Sequence, residues 1–301
     1  MTQNHVATLI AASAAKLDTA VLTRARTALP AAGEPSWLAP GIAADIPFTA
    51  NTAIDQRGIA DALRGLLDGA PVDVVVQPVE KRRKRLFLAD MDSTMIGQEC
   101  IDELADYVNL KAHVATITER AMRDEIAFEP ALRERVALLK GLKSDVVAEV
   151  IAERVRLTPG GRTLVATMRA NGARTCLVSG GFTSFTGPIA TMIGFDENRG
   201  NTLLIDDGGL FSGMVQEPIL GAQAKLAALR ELSSRLGLAK EETLAIGDGA
   251  NDLAMIEEAG LGVAFHAKPK VAAAAHARID HGDLTALLYA QGYRREEFVE
   301  R

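Results

Sequence analysis

Cysteine is nearly absent from this sequence: two residues in 301, Cys100 and Cys176, at a separation that matches neither a zinc-ligand spacing nor a disulfide framework. A reducing, cytoplasmic setting is the simpler expectation. An excess of basic charge is lacking too. Lys and Arg number 33 against 39 Asp and Glu, a net charge of −6, which argues against a long nucleic-acid or anionic-membrane surface. A small anionic substrate held by a few local cations remains open. No uninterrupted apolar run reaches the ~18 residues that a membrane span needs, so no membrane crossing is expected. The apolar stretch ending in Ala12-Ser13-Ala14 imitates a signal-peptidase site, but no Lys or Arg precedes it and the helical pattern continues through Lys16. Also missing are a GxGxxG fingerprint, a Walker A sequence, internal repeats and low-complexity tracts.

What is present is an ordinary globular composition, 48% hydrophobic and 24% charged, which excludes a disordered or collagen-like chain. The length favours two structural units. Residues 1–80 read as a small α+β unit, with strand-like segments at 6–11, 37–48 and 72–79 and helical spacing at 14–29 and 54–67. That order suits a ferredoxin-like module, and by fold analogy such modules bind small ligands or pair with a second copy, here as a homodimer. The five basic residues 81–85 then read as a solvated linker and a domain boundary that few contacts need cross.

From 86 onward strands alternate with helices, the signature of an α/β unit with a Rossmann-like parallel sheet. Candidate strands are 86–89, 175–178, 244–246 and 262–265. Residues 98–157 contain no strand-like run and four amphipathic patterns, at 101–108, 112–123, 130–139 and 144–155, so they predict an inserted helical cap. A hairpin is expected at 201–205 and 210–215, around Asp206-Asp207-Gly208-Gly209.

Ligands of open parallel sheets bind beyond the carboxyl ends of the strands, and three of these ends are chemically loaded. The first carries Asp90-Met91-Asp92-Ser93-Thr94, the second Ser179-Gly180-Gly181-Phe182, the third Gly247-Asp248-Gly249-Ala250-Asn251-Asp252. Two carboxylates two residues apart can share a crevice as nucleophile and proton donor, or simply form an Asx turn. An EF-hand is excluded, because Met95 and Ile101 stand where that loop needs Gly and Glu. The Ser-Gly-Gly segment offers a hydroxyl and unhindered N–H groups to phosphate, or is only a tight turn. Asp248 and Asp252 supply oxygen ligands suited to Mg²⁺, and Lys225, opening a helix, either reaches the same crevice or is solvated.

It is the ordered conjunction of these pieces that is specific. It resembles the haloacid dehalogenase-like hydrolase superfamily over residues 86–290. DMDST, VSGGF, Ala222-Gln223-Ala224-Lys225 and GDGANDLAM are similar to the phosphoserine phosphatase family within it, and the first 80 residues resemble an ACT-like module. The resemblance implies a Mg²⁺-dependent hydrolysis of O-phospho-L-serine to serine and phosphate, the last step of serine biosynthesis. In it Asp90 is the nucleophile and Asp92 the general acid. Asp90, Asp248 and the Asp92 main-chain carbonyl hold the metal. Ser179, Gly180 and Lys225 bind phosphate, while Asn251 and Asp252 support them. Glu99 and Arg135 match the residues that receive the substrate ammonium and carboxylate, and Met122 and Phe128 the apolar wall, although each taken singly also fits a solvated or packed cap residue. The motif departs from its commonest form only at Met91, where Phe is frequent. A phosphotransferase or a phosphatase of another small phosphomonoester would share the core. A signalling receiver would lack the second motif carboxylate and the cap, and an amino-acid sensor would bind without turnover.

Overall fold

The computed structural model describes residues 4–12, 15–50, 54–122 and 125–300. In the first unit, β1 (His5–Ala11), α1 (Thr19–Thr27), β2 (Ser36–Ala39), β3 (Ala43–Phe48), α2 (Gln56–Gly65) and β4 (Val72–Pro78) follow in that order. The strands form one antiparallel sheet in the order β2-β3-β1-β4, the ferredoxin-like arrangement. Each helix starts where an Asp side chain accepts a first-turn N–H, Asp18 from Val21 and Asp55 from Gly58. Leu9, Ile46, Phe48, Leu63 and Val74 fill the core between helices and sheet.

The second unit opens with β5 (Leu86–Ala89). Four cap helices come next: α3 (Cys100–Tyr107), α4 (Lys111–Met122), α5 (Phe128–Ala137) and α6 (Val146–Glu153). The chain returns through α7 (Gly161–Ala170), β6 (Arg174–Phe182), α8 (Thr183–Ile193) and β7 (Glu197–Asn201). The hairpin β8 (Leu203–Ile205) and β9 (Phe211–Val215) follows, then α9 (Ala222–Leu236), β10 (Thr243–Gly247), α10 (Leu253–Glu258), β11 (Leu261–Phe265), α11 (Pro269–Ala274), β12 (Ala277–Ile279) and α12 (Ala286–Ala290).

Six strands make a parallel sheet in the order β12-β11-β10-β5-β6-β7. The chain runs outward from β5 in one direction through β6 and β7, then crosses to β10 and continues the other way. The reversal therefore falls between β5 and β10, where a doubly wound sheet opens a crevice. Leu86, Leu88, Ala245 and Val178 are fully buried, as strands covered on both faces must be. The hairpin lies against the cap: Gly141 N donates to Phe211 O at 2.8 Å, and Phe211 N to Leu142 O at 2.9 Å.

The basic segment 81–85 joins the two units; Lys81, Arg83 and Arg85 are exposed as a solvated linker would have them, but Arg82 and Lys84 turn inward, and contacts cross the boundary. Arg82 forks onto Asp45 (2.6 and 2.7 Å), reaches Thr8 Oγ1 at 2.7 Å, and donates from Nε to Ala290 O at 2.8 Å. Lys84 is 6% exposed and donates to Lys81 O and Glu241 O. Lys84 is internal and Arg82 half-buried because carboxylate and carbonyl acceptors replace their water. A third tie is Asp73 on β4, 1% exposed, which accepts from the N–H groups of Asp280, His281 and Gly282 at 2.7, 3.2 and 2.7 Å. No helix among the described residues is long and apolar enough to cross a membrane.

Candidate active site

The site is assembled at the reversal point from the ends of β5, β6 and β10. Beyond Ala89 the backbone stays extended at Asp90 and Asp92 and then turns sharply at Ser93, whose φ of +54° is left-handed. That bend brings the Asp90 and Asp92 carboxylates inward from positions two residues apart. The β6–β7 ladder is interrupted between Val178 and Phe182, so Ser179, Gly180 and Gly181 bulge toward the same space. Glycine at 181 is required by close approach: a Cβ there would lie 2.9 Å from Asp92 Oδ2 and 3.0 Å from Ser179 Oγ.

Lys225, fully buried near the start of α9, lies between two carboxylates, 2.6 Å from Asp90 Oδ1 and 2.7 Å from Asp252 Oδ1. Burial alone would lower its pKa, but Asp252 and Asp90 outweigh that and raise it, so the ammonium is fixed as a cation. Asp252 Oδ2 accepts from Gly249 N at 3.1 Å, leaving both its oxygens engaged. Burial pushes Asp90 well up, Asp252 adds to the rise, and Lys225 opposes it.

Asp92 is held by other partners, accepting from Cys100 N at 2.9 Å and Ser179 Oγ at 3.2 Å. Burial raises its pKa against these donors, the direction a proton donor needs. Asp248 accepts from Thr94 Oγ1 at 3.3 Å, and burial followed by Asp252 raises it.

Carboxylate oxygens of Asp90, Asp248 and Asp252 lie within 4.8 Å of one another. Three acidic groups around one lysine leave local negative charge, and hard oxygen donors suit a divalent cation of the Mg²⁺ type. With Asp252 committed to Lys225 and Gly249, Asp90 and Asp248 are the side chains placed to take it.

The cap closes over this space. The Phe128 ring packs on Gly180 and Gly221, 3.0 and 3.3 Å from where a Cβ would sit. Arg135 is held by Ala131 O at 3.2 Å and Thr118 Oγ1 at 3.4 Å; burial lowers its pKa, opposed by the charges of Asp102, Glu99 and Asp92. Glu99 keeps part of its surface in water and accepts from Ser93 Oγ at 2.7 Å. Desolvation beneath the cap, then Asp92, push it up to about 7. Asn251 stands beside Gly249, its Nδ2 3.9 Å from a Cβ placed on Gly180. The Met122 side chain lies outside the described residues.

All the remaining expected residues therefore converge on one crevice and the cap above it. Sequence reasoning had assigned no part to Ser93, Thr94 or Asn201. Ser93 and Thr94 lie inside the quoted DMDST run, whereas Asn201 carries no local signal.

Comparison with known proteins places these features in a wider set. The haloacid dehalogenase-like hydrolase family matches residues 87–257. A phosphoserine phosphatase of Streptomyces coelicolor is 44% identical over 229 residues, 76% of this chain and 55% of its own. One from Polaromonas sp. is 45% identical over 224 residues, 73% of this chain and 95% of its own. The chain thus spans about half of the first relative and nearly all of the second. The crystal structure of a probable phosphoserine phosphatase from Vibrio cholerae superposes with a TM-score of 0.75 at 30% identity, over 98% of this chain and 88% of that one.

Proposed function

Since the chain belongs to the haloacid dehalogenase-like hydrolase family, and within it to the phosphoserine phosphatases, we propose that it hydrolyses O-phospho-L-serine to serine and phosphate through a phosphoaspartate. The observation that carries this reading is the division of labour between the paired carboxylates. Lys225 holds Asp90 Oδ1 at 2.6 Å, leaving Oδ2 to attack phosphorus, while Asp92 takes its hydrogen bonds from Cys100 N and Ser179 Oγ.

In the first step a bond forms from Asp90 to phosphorus as the ester P–O bond breaks, and the Asp92 proton passes to the serine oxygen. In the second, Asp92 takes a proton from water, whose oxygen attacks phosphorus and releases Asp90. The Ser179 hydroxyl, the Gly180 N–H and the Lys225 ammonium supply positive potential to the phosphoryl oxygens. Mg²⁺ held by Asp90, Asp248 and the Asp92 carbonyl would neutralise phosphate charge. Asn251 and Asp252 keep the acidic loop in place. In the cap, Glu99 receives the substrate ammonium and Arg135 its carboxylate, with Phe128 and Met122 as the apolar wall.

The N-terminal unit is read as an ACT-like module and as the surface through which two copies pair, and the protein as cytoplasmic, in line with its two buried free cysteines. The test is inorganic phosphate release from O-phospho-L-serine against other phosphomonoesters, with Mg²⁺ and with EDTA. Preference for phosphoserine that EDTA abolishes is expected. Equal turnover of unrelated monoesters would overturn the substrate, and undiminished turnover in EDTA the metal.

A further inference from the structure

We propose that Asn201 is a positioning residue for phosphate binding, one carboxamide that sets both the Ser179 turn and the segment leading to Lys225. The inference rests on the reading of the site as a phosphoryl-transfer centre, and none of the contacts of Asn201 is to the reacting groups.

Asn201 ends β7 and is 3% exposed. Its Nδ2 donates to Gly180 O at 2.8 Å and to Leu220 O at 3.1 Å, and its Oδ1 accepts from Leu220 N at 2.6 Å. Both amide hydrogens are used, and only this orientation works, since the opposite one would face the amide oxygen toward two carbonyls. A buried amide with every donor satisfied is rigid, because each alternative leaves a polar group unpaired.

Two consequences follow from what the amide holds. The Gly180 carbonyl belongs to the peptide whose N–H is that of Gly181, and this N–H donates to Ser179 Oγ at 2.8 Å. With a lone pair of Oγ occupied by an N–H, the hydroxyl proton must point elsewhere, toward Asp92 Oδ2 at 3.2 Å or, when substrate is bound, toward a phosphate oxygen. Asn201 therefore fixes Ser179 as a donor. On its other side, the paired bonds to Leu220 pin the residue before Gly221. The Gly221 carbonyl accepts from Ala224 N at 3.0 Å and Lys225 N at 3.3 Å, which sets the first turn of α9 and with it the base of the Lys225 side chain. Ser179 comes from a strand end and Lys225 from a helix more than 40 residues later; Asn201 is the side chain that bonds to both supports.

The experiment compares Asn201→Ala and Asn201→Ser with Asn198→Ala. Asn198 lies on the same strand and accepts from Thr186 Oγ1 at 2.7 Å, a bond that touches neither support. Three quantities are read on full-length protein in Mg²⁺: affinity for inorganic phosphate by calorimetry, KM and kcat for phosphoserine, and melting temperature. Loss of phosphate affinity by about tenfold or more is expected in Asn201→Ala, because small misplacements of aligned groups are costly. Asn201→Ser, which keeps a short hydroxyl beside the same carbonyls but cannot span both supports, should lose less than Asn201→Ala yet still more than about twofold, and Asn198→Ala should lose melting temperature alone. The proposal is overturned if folded Asn201→Ala or Asn201→Ser binds phosphate within twofold of the parent, or if Asn198→Ala weakens phosphate binding equally. Phosphate affinity is measured without substrate, so failure of the parent protein to hydrolyse phosphoserine would sink the functional reading and leave this one standing.

Discussion

As the proposed nucleophile, Asp90 sits where two demands conflict: its carboxylate must be ionised to attack, yet it is buried with Asp252 beside it. Lys225 resolves the conflict by lying within 2.7 Å of both. Asp90→Asn should therefore fold with equal or higher melting temperature, since it relieves carboxylate repulsion, while phosphate release falls to background; retained turnover would exclude a phosphoaspartate. For Asp92→Asn a loss of ~10² to 10⁴-fold on phosphoserine is expected, and a smaller one on aryl phosphates, whose leaving groups need less protonation. Equal losses on both substrates would remove Asp92 as the acid. Glu99 adds a pH signature. Its carboxyl titrates near 7 rather than at its usual 4.5, so the ratio of kcat/KM for phosphoserine to that for an aryl phosphate should climb as pH rises through about 7. The sign for stability is opposite. The folded protein binds the extra proton between 4.5 and about 7, so this group's contribution declines as pH rises across that window, and Glu99→Gln should melt higher at neutral pH while losing selectivity. A flat substrate ratio between pH 6 and 8 would count against an ammonium contact. The residues proposed to carry chemistry, which the structure gathers in one crevice, were legible because DMDST and GDGANDLAM place them in contiguous runs at strand ends. Asn201 was not, because its role consists of bonds to backbone atoms 19 and 21 residues away.

At the scale of elements, strands covered on both faces announce themselves. The apolar runs at 86–89 and 244–246 are β5 and β10 with little change of boundary, and all four cap helices fall within two residues of the amphipathic segments at either end. Two strands gave no sign. β7 reads ENRGN, polar and glycine-containing as an outermost strand tolerates, and β12 is three residues long. The segment 37–48 contains two strands, β2 and β3, because the chain reverses at Gly41 with φ +73°. The hairpin was foreseen, but its attachment to the cap was not, since that depends on backbone bonds from Gly141 and Phe211. If, as proposed, cap elements meet only the amino-acid half of the substrate, Arg135→Ala should cost phosphoserine hydrolysis ~2 kcal/mol or more, and leave an aryl phosphate nearly untouched. The comparison of kcat/KM on the two substrates decides it, and parallel losses would move Arg135 from recognition to folding.

Across the whole molecule, the two units behave as one packed body at their junction. Arg82, Lys84 and Asp73 are charged groups of ordinary surface type, and nothing local in the sequence says that Lys84 and Asp73 are buried and Arg82 half-buried; the approach of α12 to Arg82, of the Glu241 carbonyl to Lys84 and of the loop after β12 to Asp73 makes them so. Asp73→Ala would leave three N–H groups without their acceptor at a closed contact. A loss of about 1 to 3 kcal/mol in urea unfolding is expected, with kcat unchanged at low temperature. An unchanged midpoint would mean that water enters and replaces the carboxylate. The same contact has a bearing on solubility. β4 reads VDVVVQP and is bonded through its backbone to β1 on one side only; its other side lies against β12, itself bonded only to β11. Undocked, each unit would show an open strand, and the valine run of β4 is the kind of segment that templates the addition of further chains. A fragment beginning near Lys81 should keep every catalytic group yet scatter light increasingly with concentration, and the isolated 1–80 unit more so. Docking in this protein thus acts as protection against self-association, supplied by neighbours whose sequences show no gatekeeper of their own beyond Asp73.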